Sequence, residues 1–192
     1  MRYPMCMMWR AQEEIVKIKV ILGMLAMLGG TLTSHAQSDW QQKVQQELPL
    51  MGHRNWIVIV DSAYPLQTSS GIETIETNAD QLAVVQYVLL ALKSSKHVRP
   101  LVHTDKELQF VPEQEAPGVE RYREELAKQI RGLPAESVPH QALIDQLNEA
   151  GKSFHVLVLK TQMTIPYTSV FLQLDCQYWS ADSEARLRKA MQ

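Results

Sequence analysis

Two side chains that could do chemistry stand at the borders of one apolar run. His53 lies three residues ahead of residues 56–60, WIVIV, and Asp61 follows them directly. Five consecutive β-branched or aromatic residues predict a strand buried on both faces, as in the centre of a parallel sheet. Ligands of open α/β sheets bind beyond the carboxyl ends of such strands, so His53 and Asp61 are candidate site residues. The alternative is that Asp61 caps a turn and His53 is an ordinary loop residue.

Polar side chains also follow two further apolar runs, at residues 100–102 and 154–159: these are His103, Asp105, Lys160 and Thr161. If the three runs are parallel neighbours, their ends share one edge of the sheet with Asp61. A histidine beside a carboxylate is the usual pair for moving protons near neutral pH. The alternative is that strands simply become polar where they reach water.

The spacing of His103, Asp105 and Glu107 raises the question of a metal. Residues at i, i+2 and i+4 share a face of an extended segment, and all three side chains are possible ligands. A charged turn after a strand explains the same pattern, and we predict no metal site. The sequence also has no phosphate-binding glycine loop, Gly-x-Gly-x-x-Gly or Gly-x-Ser-x-Gly, so we expect neither a nucleotide cofactor nor serine hydrolase chemistry.

The elements that position these residues alternate between helices and strands. Apolar spacing and breaker residues predict helices over residues 38–48, 81–93, 119–131, 140–150 and 180–191. Apolar runs predict strands at residues 56–60, 100–102, 154–161 and 170–174, with a further edge strand at 72–77. Residues 132–139 are expected to be a break, His140 the first turn of a helix, and His155 a hydrogen-bonded core residue. This order predicts an α/β domain, a layered sheet with helices on both faces.

The first 36 residues have the pattern of a secretory signal peptide. Lys17 and Lys19 precede a short apolar run, and Ser34-His35-Ala36 forms a small-x-small end. We therefore expect cleavage after Ala36, a single domain over residues 37–192, an exported (periplasmic or secreted) protein, and no stable membrane span after cleavage. An uncleaved anchor is the alternative.

The composition of the expected mature part narrows its partners. Removing residues 1–36 takes away four of the 19 basic and two of the 21 acidic residues, which leaves a net charge near −4. The sequence has no basic run of the kind that would indicate binding to nucleic acid. Only Cys176 remains as a cysteine, so no internal disulfide is expected.

Two segments of the sequence resemble the D-ribose pyranase / L-fucose mutarotase family. The first is Gly52-His53, with Asp61 eight residues after the histidine and then Pro65. The second is the run from Leu157 to Ser169, LVLKTQMTIPYTS, in which Thr161 falls six residues before Tyr167. The chain departs from the family pattern in having Thr161-Gln162-Met163 for a Thr-Gly-Glu turn and Ser169 for an asparagine.

The resemblance implies a cofactor-free isomerase that interconverts ring forms or anomers of a free monosaccharide. It assigns acid/base catalysis to His53 with Asp61, and sugar contacts to Asp61, Tyr167 and Ser169. We add His103 and Lys160 as expected sugar contacts because they follow the strands. The resemblance also implies a ring-shaped homo-oligomer with the sugar near subunit contacts. The alternative is a non-catalytic, exported monosaccharide-binding or transport-accessory protein that kept the pocket.

Overall fold

The fold is taken from a computed structural model, which describes residues 38–192; the predicted signal peptide lies outside the described residues. The helices are α1 (Asp39–Glu47), α2 (Gln81–Ser94), α3 (Val119–Gln129), α4 (His140–Ala150) and α5 (Ala181–Ala190). The strands are β1 (Trp56–Val60), β2 (Ile72–Glu76), β3 (Val98–Asp105), β4 (Ala135–Val138), β5 (Val156–Lys160) and β6 (Val170–Cys176). Short 3-10 helices follow α1 and β3, at Leu48–Leu50 and Lys106–Phe110.

The six strands form one mixed sheet in the order β2-β5-β1-β6-β3-β4. β1 and β2 each pair with β5 in parallel, and β3 pairs with β4 in parallel. β6 runs antiparallel to both of its neighbours, β1 and β3. Five strands therefore point the same way, and their carboxyl ends lie along one edge of the sheet, which we call the carboxyl edge. The start of β6 lies at this edge too.

Helices cover both faces of the sheet, as the sequence predicted. On one face, α1, α2 and α3 bury their apolar sides against residues of β1, β3, β5 and β6 such as Ile57 and Leu172. On the other face, α4 packs Leu143 and Leu147 against the alternate residues of the same strands, including Val58 and Phe171. Successive residues of a strand point to opposite faces, and this is why β1 is apolar throughout.

The third strand is longer than predicted and has a parallel partner that the sequence did not indicate. β3 includes His103 and Asp105, which were expected beyond its end, and Pro100, which lacks an N–H donor. β4 pairs only with Val102–Asp105 of β3, so Pro100 lies where β3 has no partner on that side. β4 itself is largely exposed and polar, which explains why the sequence predicts a break at residues 132–139.

The prediction for His155 is corrected by the structure. His155 lies before β5 rather than in the core; its side chain is 31% exposed and its Nε2 is 3.6 Å from a carboxylate oxygen of Glu47. Helix α1 is capped by Ser38. Asp80 caps α2, accepting a hydrogen bond from the Ala83 N–H at 3.1 Å. Within residues 38–192, no helix is both long and apolar enough to cross a membrane.

Candidate functional site

A cavity of about 450 Å³ opens at the carboxyl edge of the sheet. Its walls come from the loop after β1, the segment before β6, and the start of α4, and they include Asp61, Tyr64, His140, Pro166 and Tyr167. The volume falls within the range of small-molecule sites. A carboxylate, an imidazole and an aromatic ring thus face one space, at the place where ligands of α/β sheets bind.

The loop that carries Asp61 is held by the end of the neighbouring strand, β5. One carboxylate oxygen of Asp61 accepts a hydrogen bond from the Ala63 N–H at 2.8 Å, which closes a tight turn. The Lys160 ammonium group donates to the Tyr64 carbonyl at 2.8 Å. The Tyr64 ring is buried, and burial raises the pKa of its hydroxyl to about 12, with Asp105 and Asp61 adding to the effect. The loop therefore has a fixed shape, with the second carboxylate oxygen of Asp61 left for other partners.

Tyr167 has an unusual backbone conformation. Its φ is 58°, in the left-handed region that non-glycine residues seldom adopt. The next residue is held on both sides: the Thr168 hydroxyl donates to the Ile165 carbonyl, and the Thr168 carbonyl accepts from the buried side chains of Gln81 and Tyr122. Residues kept in sparsely populated conformations concentrate at functional sites. The Tyr167 ring is 40% exposed, which leaves part of it open to a ligand.

His140 belongs to the site, although the sequence predicted only a helix start there. Its Nδ1 lies 3.0 Å from Oδ1 of Asp105, and its ring meets the Tyr167 ring edge-on, with centroids 5.6 Å apart. Both carboxylate oxygens of Glu107 accept the His140 backbone N–H, at 3.0 and 3.1 Å. The sequence gives no signal for β4, and only that parallel strand places His140, two residues after its end, at the carboxyl edge.

Asp105 is the one member of the site that is fully buried. Its desolvation raises the pKa of the carboxyl from the ordinary value to about 6, against the opposing effect of the hydrogen bond from His140. Glu107 and Asp61 raise it further through their negative charges. Burial thus makes the Asp105 carboxyl harder to ionise than an exposed one, while the hydrogen bond to His140 partly offsets that effect.

The structure brings some of the predicted site residues together and separates others. Asp61 and Tyr167 line the cavity. Lys160 does not line it but donates a hydrogen bond to the carbonyl of Tyr64, which does. Ser169 is buried, and its hydroxyl makes no hydrogen bond within the described residues. His103 lies inside β3 with 7% exposure, its ring 5.4 Å from that of Trp56 and its Nδ1 2.8 Å from a Glu136 carboxylate oxygen. Their roles as sugar contacts stay predictions.

His53 lies far from Asp61 within one chain. It is exposed in the turn before β1, whereas Asp61 follows the end of that strand. The five residues of β1 alone span about 17 Å at the usual rise of a strand. His53 and Asp61 therefore lie at opposite edges of the sheet, and His53 does not line the cavity.

The metal arrangement considered for His103, Asp105 and Glu107 does not form in the described part of the chain. Asp105 contacts the ring of His140, and Glu107 accepts a hydrogen bond from the His140 backbone N–H. Across residues 38–192, no group of three histidine, cysteine, aspartate or glutamate side chains is placed to hold a metal ion. The two carboxylates hold a histidine in place instead.

Comparisons with known proteins place the chain in a family. The model of the RbsD / FucU transport protein family matches residues 40–176. No curated protein matches the sequence. Among solved structures, Bacillus subtilis RbsD in complex with D-ribose is 21% identical, with a TM-score of 0.48, covering 75% of this chain and 93% of its own. The Streptococcus pneumoniae fucose mutarotase in complex with L-fucose is 15% identical, with a TM-score of 0.44, covering 75% and 96%. Because the family model spans well over half of its residues, the chain belongs to the RbsD / FucU transport protein family.

Proposed function

We propose that the chain binds a free monosaccharide in the cavity at the carboxyl edge and interconverts its ring forms or anomers. The observation that carries this proposal is the arrangement of Asp61, His140 and Tyr167 around one cavity, with the histidine held by a buried carboxylate. Membership of the RbsD / FucU family supports a sugar as the ligand, since two of the similar solved structures are described as complexes with D-ribose and with L-fucose.

The chemistry needs one group that takes a proton and another that gives one. The anomeric hydroxyl loses its proton to a base while an acid protonates the ring oxygen, and the bond between that oxygen and the anomeric carbon breaks. The open-chain carbonyl then closes again on its other face or through another hydroxyl, and the two protons return. His140 is positioned to accept the first proton. Asp61, with one oxygen free of the turn, accepts hydrogen bonds from sugar hydroxyls, and the exposed side of the Tyr167 ring packs against the sugar.

His53 takes part in this reaction only if it comes from another copy of the chain. Because it lies at the amino end of β1, it cannot reach a sugar beside Asp61 in its own subunit. We therefore propose a head-to-tail homo-oligomer, closed into a ring, in which the amino edge of one subunit meets the carboxyl edge of the next. The resemblance noted in the sequence, with the sugar near subunit contacts, agrees with this arrangement.

The alternative function is binding without turnover, as in a transport-accessory protein. It is favoured by Ser169, which stands at the family's asparagine position and is buried, and by Gln162 and Met163 in place of the glycine and glutamate of the family turn. The binding shell of Asp61 and Tyr167 does not depend on these positions. The predicted signal peptide implies that either activity is carried out after export.

One set of NMR measurements distinguishes the two functions. Saturation transfer on residues 37–192, with a panel of aldoses, reports both binding and exchange between anomers. We expect binding with exchange, and His140→Ala or His53→Ala lowers the exchange rate by about 10²-fold or more. His155→Ala, which removes a half-exposed histidine at the same edge as His53, is the control and leaves exchange unchanged. Binding without exchange in the unmutated protein supports the alternative, and no binding to any sugar contradicts both.

A mixing experiment tests the shared site. If each site takes His140 from one subunit and His53 from the next, unfolding and reassembling the two inactive variants together restores part of the exchange rate. No recovery in assemblies shown to contain both variants contradicts the shared site, and a monomeric protein in sedimentation contradicts the ring.

A further inference from the structure

The proton-transfer residue of the site, His140, has a dedicated partner on β3, and the proposed function leaves open which ring nitrogen that partner makes the base. Asp105 ends β3 with no exposed surface, and its Oδ1 lies 3.0 Å from Nδ1 of His140. Its other oxygen, Oδ2, is buried and makes no hydrogen bond within residues 38–192. A buried carboxylate is costly unless it is paired, so the hydrogen bond to His140 is the main compensation for placing Asp105 there.

The imidazole ring is held from several sides in one orientation. Glu107 fixes the backbone at the start of α4 by accepting the His140 N–H with both oxygens. The Tyr167 ring packs edge-on against the imidazole, and Pro139 precedes it in the chain. Since Nδ1 faces Asp105, Nε2 is the ring nitrogen left for a ligand in the cavity that His140 lines.

We propose that Asp105 is a positioning residue: it keeps the imidazole proton of His140 on Nδ1, so that Nε2 accepts the proton of the ligand. When a sugar hydroxyl gives its proton to Nε2, the ring becomes an imidazolium ion whose Nδ1–H still points at the Asp105 carboxylate. That negative charge stabilises the imidazolium, and Nε2 later returns the proton to the sugar oxygen. A carboxylate that orients a histidine and selects its tautomer is a general device of proton-transfer sites. The sugar step rests on the proposed function; the choice of tautomer does not.

This arrangement also sets a lower pH limit to the activity. Burial raises the pKa of Asp105 to about 6, so below that pH the carboxyl is protonated and no longer attracts the imidazolium. Four elements contribute titratable groups around the pair. The loop after β1 contributes Asp61 and Tyr64, and the end of β5 contributes Lys160. The 3-10 helix after β3 contributes Glu107, and the segment before β6 contributes Tyr167. The acidic groups among them disfavour ionisation of Asp105, and Lys160 is engaged by the Tyr64 carbonyl. The support that Asp105 gives to His140 therefore disappears as the pH falls through about 6.

The tautomer can be read without any sugar. Long-range ¹H–¹⁵N correlation spectra of residues 37–192 at pH 7.5 show which ring nitrogen of His140 carries the proton. We expect Nδ1 in the unmutated protein, and a shift of the proton toward Nε2 in Asp105→Asn, whose amide can donate to Nδ1. Glu107→Gln is the matched control: it still accepts the His140 N–H through its amide oxygen, and the proton stays on Nδ1. A proton on Nε2 in the unmutated protein overturns the proposal. This outcome can be observed even if the variants fail to fold.

Sugar kinetics then separate the positioning role from a structural one. We expect Asp105→Asn to lower kcat for anomer exchange by about 10²-fold or more while KM changes little, because binding by Asp61 and Tyr167 is kept. An unchanged kcat, or a rise in KM alone, overturns the proposal for catalysis. If the unmutated protein exchanges no sugar but the tautomer changes as expected, Asp105 still positions His140 and the proposed isomerase function fails.

Discussion

The hydroxyl of Tyr122 lies 2.6 Å from the carbonyl oxygen of Thr168 and donates a hydrogen bond to it. The side-chain amide of Gln81 donates to the same carbonyl, and the Gln81 oxygen accepts from the Thr161 hydroxyl. All these groups are buried under the cavity. The residue before Thr168 is Tyr167, whose left-handed backbone costs about 1–3 kcal/mol. Side chains of α2 and α3 thus hold the cavity wall in a conformation that it would not adopt alone.

Removing the Tyr122 hydroxyl should weaken this support measurably. We expect Tyr122→Phe to lower the free energy of unfolding by about 1–2 kcal/mol, since a buried hydrogen bond is lost and Gln81 keeps only part of the network. Urea denaturation measures the change. Tyr178→Phe is the control, because its side chain is 77% exposed. Equal losses in the two variants would contradict the role given to the network.

The stability of the fold should depend on pH in a direction set by Asp105. Its pKa is 3.8 in an ordinary environment and about 6 in the folded protein, so the unfolded chain releases this proton first as the pH rises. The contribution of Asp105 to stability is fully present below about pH 4 and is lost as the pH rises to about 6. In Asp105→Asn the residue cannot titrate. The unfolding free energy of the unmutated protein, minus that of Asp105→Asn, should therefore fall across this range; a difference that rises with pH contradicts the assignment.

Two glycines should respond very differently to an added methyl group. A Cβ at Gly71 would meet the backbone oxygens of Gly151 and Phe154, the latter at 2.7 Å, and this backbone between α4 and β5 cannot move aside easily. A Cβ at Gly52 meets nothing within 4 Å. We expect Gly71→Ala to cost about 1–3 kcal/mol of unfolding free energy, as overpacking does, and Gly52→Ala to cost little. Thermal unfolding of both variants checks this, and similar melting temperatures would refute it.

The last helix should be dispensable for folding. α5 has no buried residue, and its residues lie after the part of the chain that matches the family. We expect a protein that ends at Ser180 to keep its unfolding free energy within about 0.5 kcal/mol, as for surface changes elsewhere. By comparison, Leu147→Ala on α4 empties a fully buried position and should cost about 2–5 kcal/mol. A large loss on truncation would show that α5 packs on the domain.

How much could be predicted from the sequence depended on burial. β1, β5 and the apolar side of α4 were predicted because both faces of the inner strands are covered, so apolar residues there are continuous or periodic. The outer strand β4 is polar and exposed, and its only structural requirement is hydrogen bonding to β3. Nothing in its side chains indicates a strand.

The candidate site was predicted in part for the same reason. Asp61 follows a strand that the sequence shows clearly, and the cavity includes it. His140 follows β4, so its position at the carboxyl edge became visible only with the pairing of β3 and β4. The separation of His53 from Asp61 is implicit in the extended strand between them, because the two residues border its opposite ends.

The place of β6 in the sheet has a consequence for how the chain is made. β6 follows the other five strands of residues 38–192 in the chain, yet it lies between β1 and β3 and joins the two parallel groups, β2-β5-β1 and β3-β4. A nascent chain that ends before residue 170 can pair strands only within each group, and the inner sides of β1 and β3 remain open. Unpaired strand sides readily associate with other chains. The sheet can close only after β6 has been synthesised, so products that stop before residue 170 are expected to aggregate rather than fold.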